Sequence, residues 1–309
     1  MIYLESFKPA SRAQEESRLV GSDGTDGRAR GEHSHLVDMA CFSSNNVYPF
    51  KLFPDKGLNR LSFEPITVLY GGNGSGKSTI LNVIAEKLEL DRSSPFNKTP
   101  YLEEYLRLCS YETARGGRIP RGSAIITSDD VFDFLLDIRS INQGIDERRN
   151  ALFEEYDLLS NPNHHYQLGS LGEYHTLKQK NKARFKTKSA YVSEAMGSRE
   201  VQGQSNGESA YLYFTERIRE NALYLLDEPE NSLSPKLQLE LARFIEESVR
   251  FYNCQFIISS HSPFLLSLKG AKVYDLDSRP VTVKPWSELE NVRVYHDFFE
   301  RHREAFEKK

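Results

Sequence analysis

Residues Ile66 to Leu88 read ITVLYGGNGSGKSTILNVIAEKL, two apolar runs flanking a turn with four glycines and a lysine. Ile66–Tyr70 is apolar on both faces, which predicts a central parallel strand rather than a half-exposed one. Beyond the turn, Ile80, Leu81, Ile84 and Leu88 recur at helical spacing. The turn itself, Gly71-x-x-x-x-Gly76-Lys77-Ser78, fits the P-loop pattern in the strand–loop–helix setting that gives the pattern its meaning. Glycines let the backbone bend so that successive N–H groups face phosphate oxygens, and the helix N-terminus adds its positive end. Gly71, Gly72, Asn73, Gly74, Ser75, Gly76, Lys77, Ser78 and Thr79 are the expected nucleotide-binding residues. Lys77 is expected at the β- and γ-phosphates and Ser78 at Mg²⁺. A guanine-reading N-K-x-D is absent, since Asn97-Lys98 and Asn181-Lys182 lack the aspartate. ATP is therefore the expected nucleotide.

The rest of the 309-residue chain sets bounds. Apolar content is 39% and charged content 27%, ordinary for a globular protein, and the net charge of −4 excludes a polycation. Three scattered cysteines (Cys41, Cys109, Cys254) form neither a disulfide framework nor a zinc pattern, which fits a reducing cytoplasm. No apolar run approaches the roughly 20 residues of a membrane-spanning helix. No metal other than Mg²⁺ is expected, because His33/His35 and His164/His165 lack added ligands.

A second α/β stretch begins at Asn221. ALYLLDEPE runs a buried strand into Asp227 and Glu228. Asp227 at a strand end can share Mg²⁺ with Ser78, and Glu228 is placed to orient or deprotonate the attacking water. Further on, QFIIS leads into SSHSP with His261, and QGQSNGESAYLYF places Ser205-Asn206-Gly207-Glu208 at a helix start.

Together these motifs resemble the ABC ATPase superfamily over residues 50–90 and 200–275. The resemblance implies an α/β P-loop NTPase of ABC-ATPase type, a mixed sheet with flanking helices and an inserted, mainly helical lobe. It also implies that His261 contacts the γ-phosphate. Ser205–Glu208 would act as the signature element on the ATP of a second subunit, so that an ATP-dependent homodimer forms head to tail. NSLSP occupies the place of the D-loop. Transporter subunits carry Leu-Ser-Gly-Gly-Gln and a glutamine after the strand that here is AIIT. This chain has Ser-Asn-Gly-Glu and Ser128-Asp129-Asp130, so Asp129 or Asp130 would stand in for that glutamine. The pattern is more similar to SMC-, RecF- and OLD-type heads, and most similar to compact bacterial AAA-family or ABC-type ATPases.

The expected core is residues 1–90 and 196–309 with a polar insertion at 9–46, and the lobe is 91–195. YPFKLF and LNRLSF read as strands around PDKG. Ile145, Leu152, Tyr156 and Leu159 form a helical stripe in the lobe. Lys178, Lys180, Lys182, Arg184, Lys186 and Lys188 alternate, so a strand there presents six cations on one face. That face suits a nucleic-acid backbone, but an edge strand guarded by lysines is the preferred reading, since only Phe185 could stack on a base and the net charge is negative. Asp275 and Asp277 in DLD read as a hairpin turn rather than nuclease carboxylates. The expected function is ATP hydrolysis that transmits nucleotide state to an unknown protein or nucleic-acid partner in DNA maintenance or defence. The alternatives are an ATP-gated binding module with little turnover and a transporter ATP-binding subunit.

Overall fold

The computed structural model of the chain describes residues 1–19, 48–96, 98–160, 187–196 and 205–307. It divides into two compact units, Met1–Phe132 with Asn206–Lys309, and Asp133–Ser205. The first unit opens with β1 (Leu4–Lys8), α1 (Arg12–Leu19), α2 (Leu52–Asp55), β2 (Leu61–Ser62) and β3 (Ile66–Tyr70). It continues with α3 (Lys77–Lys87), α4 (Leu102–Leu108), β4 (Ser110–Thr113) and β5 (Ala124–Thr127). Helix α5 (Ser128–Ser160) crosses the boundary in sequence, and α6 (Lys188–Met196) belongs to the second unit. The chain returns with α7 (Asn206–Arg217), β6 (Leu223–Asp227), α8 (Pro235–Phe251), β7 (Gln255–Ser259) and α9 (Pro263–Leu266). It closes with β8 (Lys272–Asp275), β9 (Thr282–Val283), α10 (Glu290–Arg301) and α11 (Arg303–Glu307).

The main sheet has strand order β5-β6-β7-β3-β8-β9, parallel except for β9. Every residue of β3, β6 and β7 is buried, the outcome expected of continuous apolar strands covered on both faces. A smaller antiparallel sheet, β2-β1-β4, lies in the same unit. Gln255, fully buried at the start of β7, stitches the two sheets: its Oε1 accepts from Tyr3 N (2.8 Å) and Leu4 N (2.9 Å), and its Nε2 donates to Leu4 O (2.9 Å). A buried amide is tolerated there because its bonds are made. Helix α8 starts as its sequence predicts, with Pro235 first and Ser234 Oγ accepting from Leu237 N at 3.5 Å.

Four features differ from the sequence reading. YPFKLF is a turn followed by α2, not a strand. Phe50 and Phe53, three apart, both pack on Tyr105, and a strand would send them to opposite faces. The expected 9–46 insertion begins with α1, whose Glu15 is buried and accepts from Lys51 N at 2.6 Å; residues 20–47, with His33 and His35, lie outside the described residues. The stretch expected to open the lobe at 91 instead contributes β4 to β1 and β5 to β6, and the second unit starts at Asp133. Finally, Lys188 is the first residue of α6, so the alternating strand does not extend to it.

Lys188 pairs with Asp157 at 2.6 Å and lies 5.2 Å from the centre of the Phe153 ring. Lys178, Lys180, Lys182, Arg184, Lys186, His164 and His165 lie outside the described residues. In the second unit Leu152, Phe153, Tyr156 and Leu159 of α5, together with Met196, pack against Tyr191 and Val192 of α6. Among the described residues no helix is long and apolar enough to cross a membrane.

Candidate nucleotide site

The site lies where the parallel strands end. Strand β3 delivers Gly71, whose position admits no side chain: a Cβ there would sit 2.5 Å from Ser75 Oγ. Gly76 caps α3 at φ 91°, a left-handed conformation that glycine adopts without penalty. Lys77 is buried, and its Nζ donates to Gly71 O (2.7 Å) and Gly72 O (3.2 Å). Ser75 Oγ is buried without a protein partner. Thr79 Oγ1 is hydrogen-bonded to the Tyr48 hydroxyl.

Strand β7 separates β3 from β6, and its register sets Ser259 beside both Leu69 and Asp227. Asp227 is buried; its Oδ1 accepts from Ser78 Oγ (3.0 Å) and from Ser259 Oγ. Burial raises the Asp227 pKa above the ordinary value, and the two hydroxyls work against that shift. Glu228 follows in a left-handed conformation (φ 48°, ψ 53°), uncommon without glycine. Its N–H donates to Ser259 O (3.1 Å) and Ser259 Oγ (3.1 Å), which holds the turn. The Glu228 carboxylate reaches Lys77 Nζ at 3.4 Å through Oε1 and accepts from Asn231 Nδ2 at 3.1 Å through Oε2.

These residues fit a magnesium nucleotide. Ser78 and Asp227 present the hard oxygens that Mg²⁺ takes, and the orphan Ser75 hydroxyl and Lys77 line the loop for phosphate.

His261 follows β7, and its loop is organised by Glu230. That buried carboxylate accepts at one oxygen from Ser260 Oγ (2.7 Å), His261 N (2.8 Å) and Ser262 N (3.2 Å); the other oxygen is buried without a partner. The partly exposed His261 ring has Nδ1 3.6 Å from the same Glu230 oxygen. Asn291 Nδ2 donates to His261 O at 3.1 Å. Asn206, Gly207 and Glu208 form the first turn of α7, and Ser205 precedes it. A Cβ on Gly207 would lie 2.9 Å from Leu237 Cδ1, so this turn packs closely on α8. Lys77, Ser78, Asp227 and Glu228 are thus joined directly, whereas His261 is attached through Glu230 and the Gly207 turn rests on Leu237.

Sequence reasoning missed Ser259, Glu230 and Arg92, and it read Asn231 as the start of a subunit-contact loop rather than as a partner of Glu228. The serine that both ends QFIIS and begins SSHSP, and the last acid of DEPE, were the available signals. Arg92 is largely buried, stacks 4.3 Å from the Phe96 ring centre and is close enough to Asp130 and Asp227 to feel both charges. Of the two candidate stand-ins after β5, Asp130 is buried and accepts from Ser94 N (2.7 Å), Thr127 N (2.7 Å) and Thr127 Oγ1 (2.9 Å). It holds the turn into α5, and Asp129 is exposed. Asp275 and Asp277 form the β8–β9 hairpin turn, with Asp275 paired to Lys284 at 2.7 Å.

The strand order and these side chains define an α/β fold of P-loop type that carries a candidate nucleotide site. Residues 85–267 match the family described as "AAA domain, putative AbiEii toxin, Type IV TA system", and the chain belongs to that family. The match begins beyond the P-loop, so the loop is an independent observation. Among solved structures, the chain is similar to an Smc head domain with an extended coiled coil from Pyrococcus furiosus, bound to the C-terminal domain of ScpA (14% identity, 79% of this chain and 95% of that one, TM-score 0.39). It is also similar to an SmcHead bound to the C-winged helix domain of ScpA (17%, 76% and 94%, 0.37) and to an SMC head domain from Thermotoga maritima (15%, 73% and 92%, 0.29). No curated protein matches the sequence.

Proposed function

We propose that the chain binds MgATP at Gly71–Thr79 and hydrolyses it as a head-to-tail dimer of two copies, in the cytoplasm. The observation that carries this reading is the convergence of side chains from the start of α3 and the end of β6, Ser78 on Asp227 at 3.0 Å and Lys77 on Glu228 at 3.4 Å. Ser78 and Asp227 hold Mg²⁺, which when bound neutralises charge on the phosphates. Lys77 contributes a buried cation to the same end. Glu228 accepts the proton of the attacking water, and Asn231 together with the left-handed backbone fixes its aim. His261 serves the γ-phosphate, with its loop held by Glu230. Ser205–Glu208 of the second copy completes the site. Closing and opening of the pair is then passed to a protein or nucleic-acid partner, and a family description that names a toxin–antitoxin system supports a protein one.

The test is steady-state MgATP turnover together with light scattering on wild type and Glu228→Gln. Turnover should fall by about 100-fold or more, the scale of a lost general base, while the variant accumulates as a dimer in MgATP. A variant that stays monomeric in saturating MgATP counts against the head-to-tail pair. Undiminished turnover counts against Glu228 as the base. A wild type that dimerises on MgATP without turnover is the ATP-gated binding module instead.

A further inference from the structure

The turn between β8 and β9 carries a carboxylate for which the site described above has no use. Asp277 Oδ2 accepts the backbone N–H of Gly72 at 2.7 Å, and its Oδ1 lies 3.3 Å from where a Cβ on Gly71 would stand. The carboxylate therefore rests directly on the first peptides of the P-loop. On the same two residues, the carbonyls of Gly71 and Gly72 accept from Lys77 Nζ. The Gly71–Gly72 segment is held by an anion at its N–H and by a cation at its carbonyls.

The turn that presents Asp277 is itself braced. Leu276 N donates to Tyr70 O (2.9 Å), continuing the β3–β8 pairing up to the loop. Asp277 N donates to Asp275 Oδ1 (3.0 Å), and Ser278 Oγ to Asp275 O (2.8 Å). Lys56 Nζ donates to Leu276 O at 2.9 Å and offsets the local negative charge. This bracing matters because two successive glycines have the largest conformational freedom to lose when phosphate binds. A loop already fixed loses less.

We infer that Asp277 is a positioning residue for the nucleotide: it holds the first turn of the P-loop in its binding shape through the Gly72 N–H. This rests on the loop being the MgATP site. It lies outside the family-matched stretch, which ends at 267.

The test measures binding of a fluorescent mant-ATP with Mg²⁺ to wild type, Asp277→Ala, Asp277→Asn and Lys77→Ala. Urea unfolding is followed in parallel through Trp286, the chain's one tryptophan. Asp277→Ala should weaken mant-ATP by about tenfold, the scale of one charge-assisted hydrogen bond. Asp277→Asn keeps an acceptor for Gly72 N–H and should recover affinity to within about threefold, because a neutral bond retains roughly half the strength. Without nucleotide each variant should lose no more stability than that one bond, and saturating Mg²⁺–mant-ATP should raise the urea midpoint of Asp277→Ala less than that of wild type, a difference that a merely structural role in the hairpin would not give. Wild-type affinity in the alanine variant overturns the inference. So does an asparagine variant as weak as alanine, or one tighter than wild type, which would mark Asp277 as a repulsive charge. Failure of wild type itself to bind, with Lys77→Ala no different, would instead overturn the reading of the site.

Discussion

Replacing Glu230 with alanine removes the acceptor shared by Ser260 Oγ, His261 N and Ser262 N. Ser260 and Ser262 are buried, so water does not take over. A buried donor left unpaired costs about 1–3 kcal/mol, which would give up to roughly 9 kcal/mol for three. Two features reduce that sum. Ser262 N also reaches Ser260 Oγ at 3.0 Å, and the deleted carboxylate already has one buried oxygen without a partner, whose burial penalty disappears with it. A net loss of about 3 kcal/mol is expected. At about 2–4 °C per kcal/mol for a unit of this size, Tm should fall by roughly 6–12 °C. Glu230→Gln keeps an acceptor and should lose only about 1 kcal/mol. Trp286 lines the same groove as Glu230 and His261, so its fluorescence in a urea titration reports on this region. An alanine variant with the wild-type midpoint, or a glutamine variant worse than alanine, would refute the reasoning.

Burial raises Glu15 from its ordinary 4.5 to about 7, against the opposing bond from Lys51 N. The folded state then holds the proton more tightly, so the contribution of Glu15 to stability is full below pH 4.5 and is lost as pH rises to 7 and beyond, by up to about 3 kcal/mol. Glu15→Gln should abolish that slope and exceed wild type in Tm at pH 8; an unchanged slope would remove Glu15 as its source. Because burial also disfavours the Asp227 anion, Asp227→Asn should raise Tm by a few degrees, roughly 1 kcal/mol, while abolishing the Mg²⁺ dependence of mant-ATP binding. A lowered Tm with Mg²⁺ dependence intact would contradict both halves. Gly207→Ala meets only the end of a leucine and should cost less than about 1 kcal/mol, whereas Gly207→Val should cost about 2 kcal/mol and be relieved in part by Leu237→Ala. Chemical denaturation of the double variant checks the coupling.

Much of the fold was legible because its determinants are local. Strands β3, β6 and β7 are continuous apolar runs, and Gly71 is demanded by a side chain only four residues away. What escaped is long-range. Ser259 reaches Asp227 only through the register of β7 against β6, and Glu230 meets the His261 loop across the same strand ends. Tyr48–Phe53 misled because aromatic content argued for a strand while the three-residue spacing of Phe50 and Phe53 belonged to a turn of helix. The second unit's boundary left no mark at Asp133 because α5 crosses it without a break.

The placement of β7 between β3 and β6 has a mechanical consequence. Neighbouring strands lie about 4.8 Å apart, so the backbones that carry the P-loop and Asp227 stand roughly 9.6 Å apart, two strand widths. That gap is a slot whose breadth is inherited from strand order rather than from any side chain. Substitutions along its walls can change how firmly a phosphate and its metal are gripped. None of them can change the gauge of the slot without unpairing the sheet.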